Sequence, residues 1–201
     1  MPRNGLVVGI DVDGVLADFD TAFYWLLNSL KPGLSPPGVW SKGQFHPDTW
    51  DWAEETYPPE IVEQAWQMVK DPAERFWLQL HPTPHAEDLI PALWNHEAYA
   101  ITSRPGKTAY PQTREWLDTY GFDGALIIAR GPKGPIAASV GLTHFLDDKP
   151  ENCQSVTRSS PSTHVWLLRQ RHNTWFSHAK AAEEGIAVAE TAVDFIKSLR
   201  E

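Results

Sequence analysis

Cysteine is almost absent. Cys153 is the only one among 201 residues, so no disulfide can form within the chain, and a lone small thiol is read as a tolerated residue rather than a nucleophile. Long apolar runs are missing too. The stretch from Leu6 to Ile10 is too short for a leader or a bilayer span, and acidic residues follow it at once. Both absences point to a reducing cytoplasm and away from membranes. Basic residues are in deficit, with 17 Lys and Arg against 26 Asp and Glu and a formal net charge of −9. Such a surface repels a polyanionic backbone and disfavours extended binding of nucleic acid. A small anionic substrate remains admissible, because a metal ion and a few donors set the field inside a pocket.

Several familiar chemistries are missing as well. No HExxH zinc pair and no nucleophilic serine elbow is present. Two prolines between His81 and His85 keep that pair off a shared helix face. There is no internal repeat, low-complexity tract or long charge run.

What the chain does have is a series of short apolar runs rich in branched residues, the mark of buried strands. They lie at Leu6 to Val12, Ala98 to Thr102, Ala125 to Ala129, His144 to Leu146 and His164 to Leu168, with an edge strand at Ile186 to Ala189. Between them Ala86 to His96 places Leu89, Ile90, Leu93 and Trp94 on one helical face. Tyr110 to Tyr120 stops at Gly121, a C-cap. Thr191 to Leu199 opens on a capping residue and buries Val193, Phe195, Ile196 and Leu199. This alternation predicts an α/β fold: a three-layer Rossmann-like parallel sheet with right-handed crossovers.

The stretch from Thr21 to Leu80 breaks the pattern. It is punctuated at Pro32-Gly33 and Pro36-Pro37-Gly38, carries six of the ten tryptophans, looks helical around Ala65 to Val69 and shows no strand run. The expected organisation is a core of residues 1–20 and 81–201, with a small, mostly helical cap of residues 21–80 inserted after the first strand. A cap over the strand ends can exclude water from a site.

In parallel sheets sites lie beyond the carboxyl ends of strands, and four polar groups follow four strand candidates. Asp11-Val12-Asp13-Gly14-Val15 offers two carboxylates one residue apart, one able to attack phosphorus while the other trades a proton with the leaving oxygen. Its plain alternative is a solvated turn; it is not a calcium loop, which needs glycine at the sixth position and a late Glu. Thr102 and Ser103 offer hydroxyls to a phosphate, or simply cap a helix. Lys133, in Gly131-Pro132-Lys133-Gly134-Pro135, can neutralise a carboxylate and a phosphoryl group, or be a solvated loop lysine; the segment lacks P-loop spacing. Asp147-Asp148 end an apolar strand, where burial is costly without a partner or a metal. Such hard oxygen ligands suit Mg²⁺.

Taken in order, Asp-x-Asp, Thr/Ser, Lys and Asp-Asp resemble the haloacid dehalogenase-like phosphatases. The resemblance covers nearly all the chain outside the insertion. It implies Asp11 as nucleophile and metal ligand, and Asp13 as acid/base that also gives its carbonyl to the metal. Thr102, Ser103 and Lys133 would hold phosphate, and Asp148 would bind Mg²⁺ with Asp147 in support. Within that group, Asp11 to Phe19 (DVDGVLADF) is similar to the opening of the 5′(3′)-deoxyribonucleotidases, which carry a helical cap. Gly38-Val39-Trp40 with Gln44, Thr102-Ser103, and Leu146 to Pro150 extend the similarity. It implies a nucleoside monophosphate as substrate, with Phe19 and Trp40 lining the base pocket. Val39 stands in place of an aromatic, and Arg104-Pro105-Gly106 departs from the usual Ser-Pro continuation.

The function expected is therefore Mg²⁺-dependent hydrolysis of a small phosphomonoester through an aspartyl-phosphate at Asp11. Neither a membrane nor extended nucleic acid is expected as partner, and a homodimer is compatible with the sequence. Alternatives are a phosphatase of another metabolite or of nucleic-acid ends, and a non-catalytic binding module on the same fold.

Overall fold

A computed structural model of the chain describes residues 5–200. The outermost residues of the expected core, 1–4 and 201, lie outside it. In chain order the elements are β1 (Val7–Ile10), α1 (Phe19–Leu30), β2 (Gly38–Ser41), β3 (Gln44–Pro47), α2 (Trp52–Thr56), α3 (Pro59–Lys70) and α4 (Ala86–Leu93). These are followed by β4 (Glu97–Thr102), α5 (Ala109–Thr119), β5 (Ala125–Ile128), α6 (Gly134–Val140), β6 (His144–Asp147) and α7 (Pro150–Ser159). The chain ends with β7 (His164–Leu168), α8 (His178–Glu183), β8 (Ile186–Ala189) and α9 (Ala192–Ser198).

Six strands form one parallel sheet in the order β5-β4-β1-β6-β7-β8. The apolar runs became strands because both faces of the sheet are covered by helices, so continuous branched residues are buried on either side. Val8, Ile10, Ala100, Ile101, Phe145, Leu146 and Leu167 are completely buried. Successive strands are added to one side of β1 and then to the other. The order therefore reverses at β1, and a crevice opens beyond its carboxyl end, where Asp11 begins.

The expected strands and the helices α4, α5 and α9 lie where the sequence put them, to within a few residues. Two side chains differ. Trp94 is 54% exposed, because it follows the last turn of α4 and its indole N–H donates to the Gly121 carbonyl at 3.0 Å, across the surface. Val193 is also exposed, at the second position of α9, where the first turn faces out. The Thr191 cap reciprocates with Asp194 as a capping box.

Residues 19–80 carry α1, α2 and α3, but also a β-hairpin that the sequence reading did not contain. Its strands, β2 and β3, pair antiparallel from Gly38↔Pro47 to Ser41↔Gln44. The two-residue turn is Lys42-Gly43, both with positive φ (51° and 81°), the backbone that matches hairpin twist. The segment's two ends are fastened to each other. The Asp18 N–H donates to the His81 carbonyl (2.8 Å), the Thr83 N–H to Leu16 O (2.8 Å), and Thr83 Oγ1 to Val15 O (2.6 Å).

Candidate active site

The loop after β1 turns sharply. Leu16 and Ala17 N–H groups both donate to Val12 O, at 2.8 and 2.7 Å, and Gly14 takes φ +79°. A Cβ at position 14 would run into the Asp148 carboxylate, so only glycine permits this approach of the two loops. The turn brings Asp11 and Asp13 over the strand ends together. Asp11 Oδ1 accepts from the Val12 N–H at 2.7 Å and pairs with Lys133 Nζ at 2.7 Å.

Lys133 reaches this point because α6 packs closely on α7. A side chain at Gly134 would collide with the Ser155 carbonyl, and the Gly134 N–H donates to Ser155 Oγ at 3.1 Å. Lys133 is buried and bridges Asp11 Oδ1 to Asp147 Oδ2, again at 2.7 Å. Burial favours the neutral amine, yet the flanking carboxylates raise its pKa above the ordinary lysine value. Burial likewise pushes the Asp11 carboxyl well up, against the opposing pull of Lys133.

Asp147 is held on every side. It accepts from Lys133, from the Lys149 N–H (2.8 Å) and from Asn152 Nδ2 at 3.1 Å to each oxygen. Asp148 is different: its carboxylate is buried, and Oδ1 has no hydrogen-bond partner among the described residues. Its backbone carbonyl is fixed by Asn173 Nδ2, which donates at 2.8 Å to it and to Leu168 O. His172 Nε2 stands 3.4 Å from Asp148 Oδ2, and the pull of that carboxylate raises the imidazole pKa despite its burial.

Asp11, Asp147 and Asp148 place one carboxylate oxygen each within 4.8 Å of one another. Three buried acids against Lys133, with an orphaned oxygen on Asp148, form a donor set that fits a hard divalent cation. The Asp13 carboxylate does not join this trio. It faces the other way, toward Thr102 Oγ1 (3.4 Å) and the Arg104 guanidinium.

Thr102 ends β4 and is buried, while Ser103 is exposed at the cleft rim. The cleft measures about 310 Å³, near the lower bound of small-ligand pockets, roughly 300–1,000 Å³. Asp11, Asp13, Thr102, Lys133 and Asp148 line its floor. Its walls come from Phe19 and from the insertion: Trp50, Trp52, Trp66 and Trp77. Phe19 stacks on Phe23, Trp66 and Trp77, with ring centroids 5.1, 5.7 and 6.0 Å away.

Trp40 does not line this cleft. It sits on β2, 46% exposed, packed against Tyr24, Trp25 and Phe45 of the hairpin and α1. The base-pocket expectation for Trp40 is thus corrected by a hairpin that turns its ring away.

Residues missing from the sequence reading are Arg104 and Asp20 in the cleft, with Asn173 and His172 behind Asp148. Asp20 accepts from Trp52 Nε1 at 2.9 Å, and burial lifts its pKa to about 6. The Arg104 signal was in plain view, directly after Thr102-Ser103. Asn173 and His172 follow β7, a strand end that no motif in the sequence marks.

No protein-family model matches the sequence, and no curated protein matches it. Solved structures do share its fold. A haloacid dehalogenase family hydrolase from Deinococcus radiodurans R1, with bound phosphate and sodium, superposes with a TM-score of 0.60 at 13% identity, over 96% of this chain and 94% of that one. A hydrolase from Pseudomonas syringae gives 0.54 at 16% identity, over 96% and 97%. A haloacid dehalogenase superfamily hydrolase from Ehrlichia chaffeensis gives 0.54 at 13%, over 98% of each chain. At these identities the likeness is one of fold, the haloacid dehalogenase-like α/β fold.

Proposed function

We propose that the protein is a phosphomonoester hydrolase acting through a phosphorylated Asp11, and that nucleoside monophosphates are its substrates. The observation that carries the reading is the joint placement of Asp11, Lys133 and the Asp147-Asp148 pair at the floor of one cleft, with Asp13 and Thr102 beside them. Asp11 has both of its described bonds on Oδ1, which supports Oδ2 as the oxygen that attacks phosphorus in line. The P–O bond to the leaving group then breaks, and Asp13 gives its proton to the departing oxygen. In the second half Asp13 takes a proton from water as that water attacks the aspartyl-phosphate, releasing phosphate and restoring Asp11. Lys133 and Thr102 hold the phosphoryl oxygens throughout, a role of position and charge. Asp11 and Asp148 would hold Mg²⁺, with Asp147 behind them. When bound, the cation supplies charge that offsets the phosphoryl oxygens.

The substrate class is supported by the aromatic walls, since base faces stack on such rings. The cleft also has the size of a small ester rather than of a strand. On this reading residues 21–80 act as the cap. Phe19 belongs to the base pocket, with Trp50 and Trp66 taking the place expected of Trp40.

The test is phosphate release with Mg²⁺ from nucleoside monophosphates, sugar phosphates and phosphorylated oligonucleotide ends, alongside Asp11→Asn. Turnover of nucleotides that is lost in the variant supports the proposal. Turnover of sugar phosphates alone keeps the chemistry and refutes the substrate class. A fully active Asp11→Asn refutes the nucleophile.

A further inference from the structure

We propose that Arg104 is a positioning residue for Asp13, and that Trp77 of the insertion seats it. The inference rests on the reading of Asp13 as acid/base.

The Arg104 side chain is fully buried, whereas the Asp13 side chain is 25% exposed to the cleft. The two meet as a fork. Arg104 Nη2 donates to Asp13 Oδ1 at 2.8 Å, and Nε donates to Oδ1 and Oδ2 at 3.2 and 3.1 Å. The remaining terminal nitrogen, Nη1, donates to Thr113 Oγ1 at 3.1 Å. Both ends of the guanidinium are therefore engaged with protein, and although Arg104 borders the cleft its side chain has no exposed surface with which to take a phosphate.

Besides the Asp13 loop, two segments pack against this arginine, α5 and the stretch that carries Trp77. Thr113 and Trp116 belong to α5, and the guanidinium carbon lies 6.0 Å from the Trp116 ring. The same carbon sits 4.8 Å over the Trp77 ring, within cation–π range. Trp77 is itself fixed: its N–H donates to Gln112 Oε1 and its indole N–H to Pro105 O, both at 3.2 Å. Burying a guanidinium is costly, and an apolar residue of equal size often stabilises a fold as well. Here the buried cation spends its fork on a carboxylate that opens into the cleft.

The terminal torsion of an aspartate is broad, so an unheld carboxylate swings between orientations. Proton transfer needs the oxygen within hydrogen-bond reach of the leaving group, held to about 10–20°. A bidentate arginine fixes the plane of the carboxylate, which one ammonium cannot do. The same fork ties the acid/base to Trp77, a cleft wall contributed by the insertion.

The test compares kcat/KM of wild type, Arg104→Gln and Arg104→Lys on dinitrophenyl, nitrophenyl, phenyl and ethyl phosphates. This ratio reports transfer of the phosphoryl group to the enzyme, the step that needs an acid only when the leaving oxygen is basic. Arg104→Gln should lose about 100-fold on ethyl phosphate and less than about threefold on dinitrophenyl phosphate. Arg104→Lys should fall between. A fold lesion lowers the active fraction and scales every ester alike, so the steepened dependence on leaving group survives partial misfolding. Parallel lines for the variants and wild type overturn the inference while leaving the phosphatase reading intact. A wild-type protein inert on all four esters and on nucleotides overturns both.

Discussion

Replacing Lys133 by Met tests whether one buried cation holds the acidic floor together. Its Nζ lies 2.7 Å from Asp11 Oδ1 and 2.7 Å from Asp147 Oδ2, and its side chain is 1% exposed. At an effective dielectric of about 20, each pair at that distance is worth about 6 kcal/mol before desolvation is subtracted. Methionine fills a similar volume, so packing loss is small, but Asp11 and Asp147 are left as buried acids beside Asp148. Removing one partner of a buried ion pair costs about 3–5 kcal/mol, a large share of the 5–15 kcal/mol that holds a domain folded. The expected loss is in that range at about pH 7.5 in chelator, read by urea unfolding followed through the fluorescence of the ten tryptophans. The loss should shrink on acidification. Burial already raises the Asp11 carboxyl, so without Lys133 the folded state takes up protons above the ordinary value of 3.8 and gains stability as pH falls. Divalent cation should restore the variant more than it stabilises wild type. A variant within about 1 kcal/mol of wild type at neutral pH in chelator would refute the reasoning, because no net repulsion would then be stored in the trio.

Three further outcomes are expected. Gly14→Ala forces φ +79° on a side chain and pushes the Asp148 carboxylate aside; about 1–2 kcal/mol of stability should go, and the Mg²⁺ concentration for half-maximal activity should rise at least about tenfold. Asp20, lifted to about 6 by burial, costs the fold nothing below the unfolded value of 3.8 and its full penalty above pH 6. Asp20→Asn should therefore stabilise by about 2 kcal/mol at pH 7–8 and leave stability unchanged below pH 4, in denaturant titrations at the two pH values. His144, depressed by burial to about 4, stabilises fully above the unfolded value of 6.5 and loses that contribution as pH falls from 6.5 to 4. His144→Gln should flatten melting temperature against pH across that window, where wild type drops by about 1–3 kcal/mol of stability.

The sheet was legible because its strands are buried on both faces, and such strands are written as unbroken apolar runs that any polar residue must end. That is why Asp11, Thr102 and Asp147 stood out as strand ends. The hairpin was illegible for the opposite reason. Its strands have four residues each, one carries Pro47, and its turn puts Lys42 in a conformation usually left to Gly or Asn. Prolines at 32, 36 and 37 read as loop, and Trp40 looked free to face a ligand when local pairing had already turned it aside. Arg104 and Trp77 lie 27 positions apart, and nothing local at either announces the other; only the docking of the insertion against α5 brings the ring over the guanidinium. Trp94 and Val193 show the limit of periodicity at helix ends, where a residue in phase with the buried stripe still faces solvent.

The insertion is closed at its base by a bridge between Ala17 and Pro82. The doorway to the insertion is thus narrow, residues 15–18 on one side and 81–83 on the other, while the residues proposed to touch phosphorus lie outside the insertion. Lengthening, shortening or exchanging the sixty-odd residues between those points asks nothing of the strand order and little of loop-closure entropy, which grows only as the logarithm of length. On the proposed reading such an architecture would separate inheritance into two parts: a chemical floor, and a canopy that can be rewritten to admit a different molecule so long as it keeps a seat for Arg104.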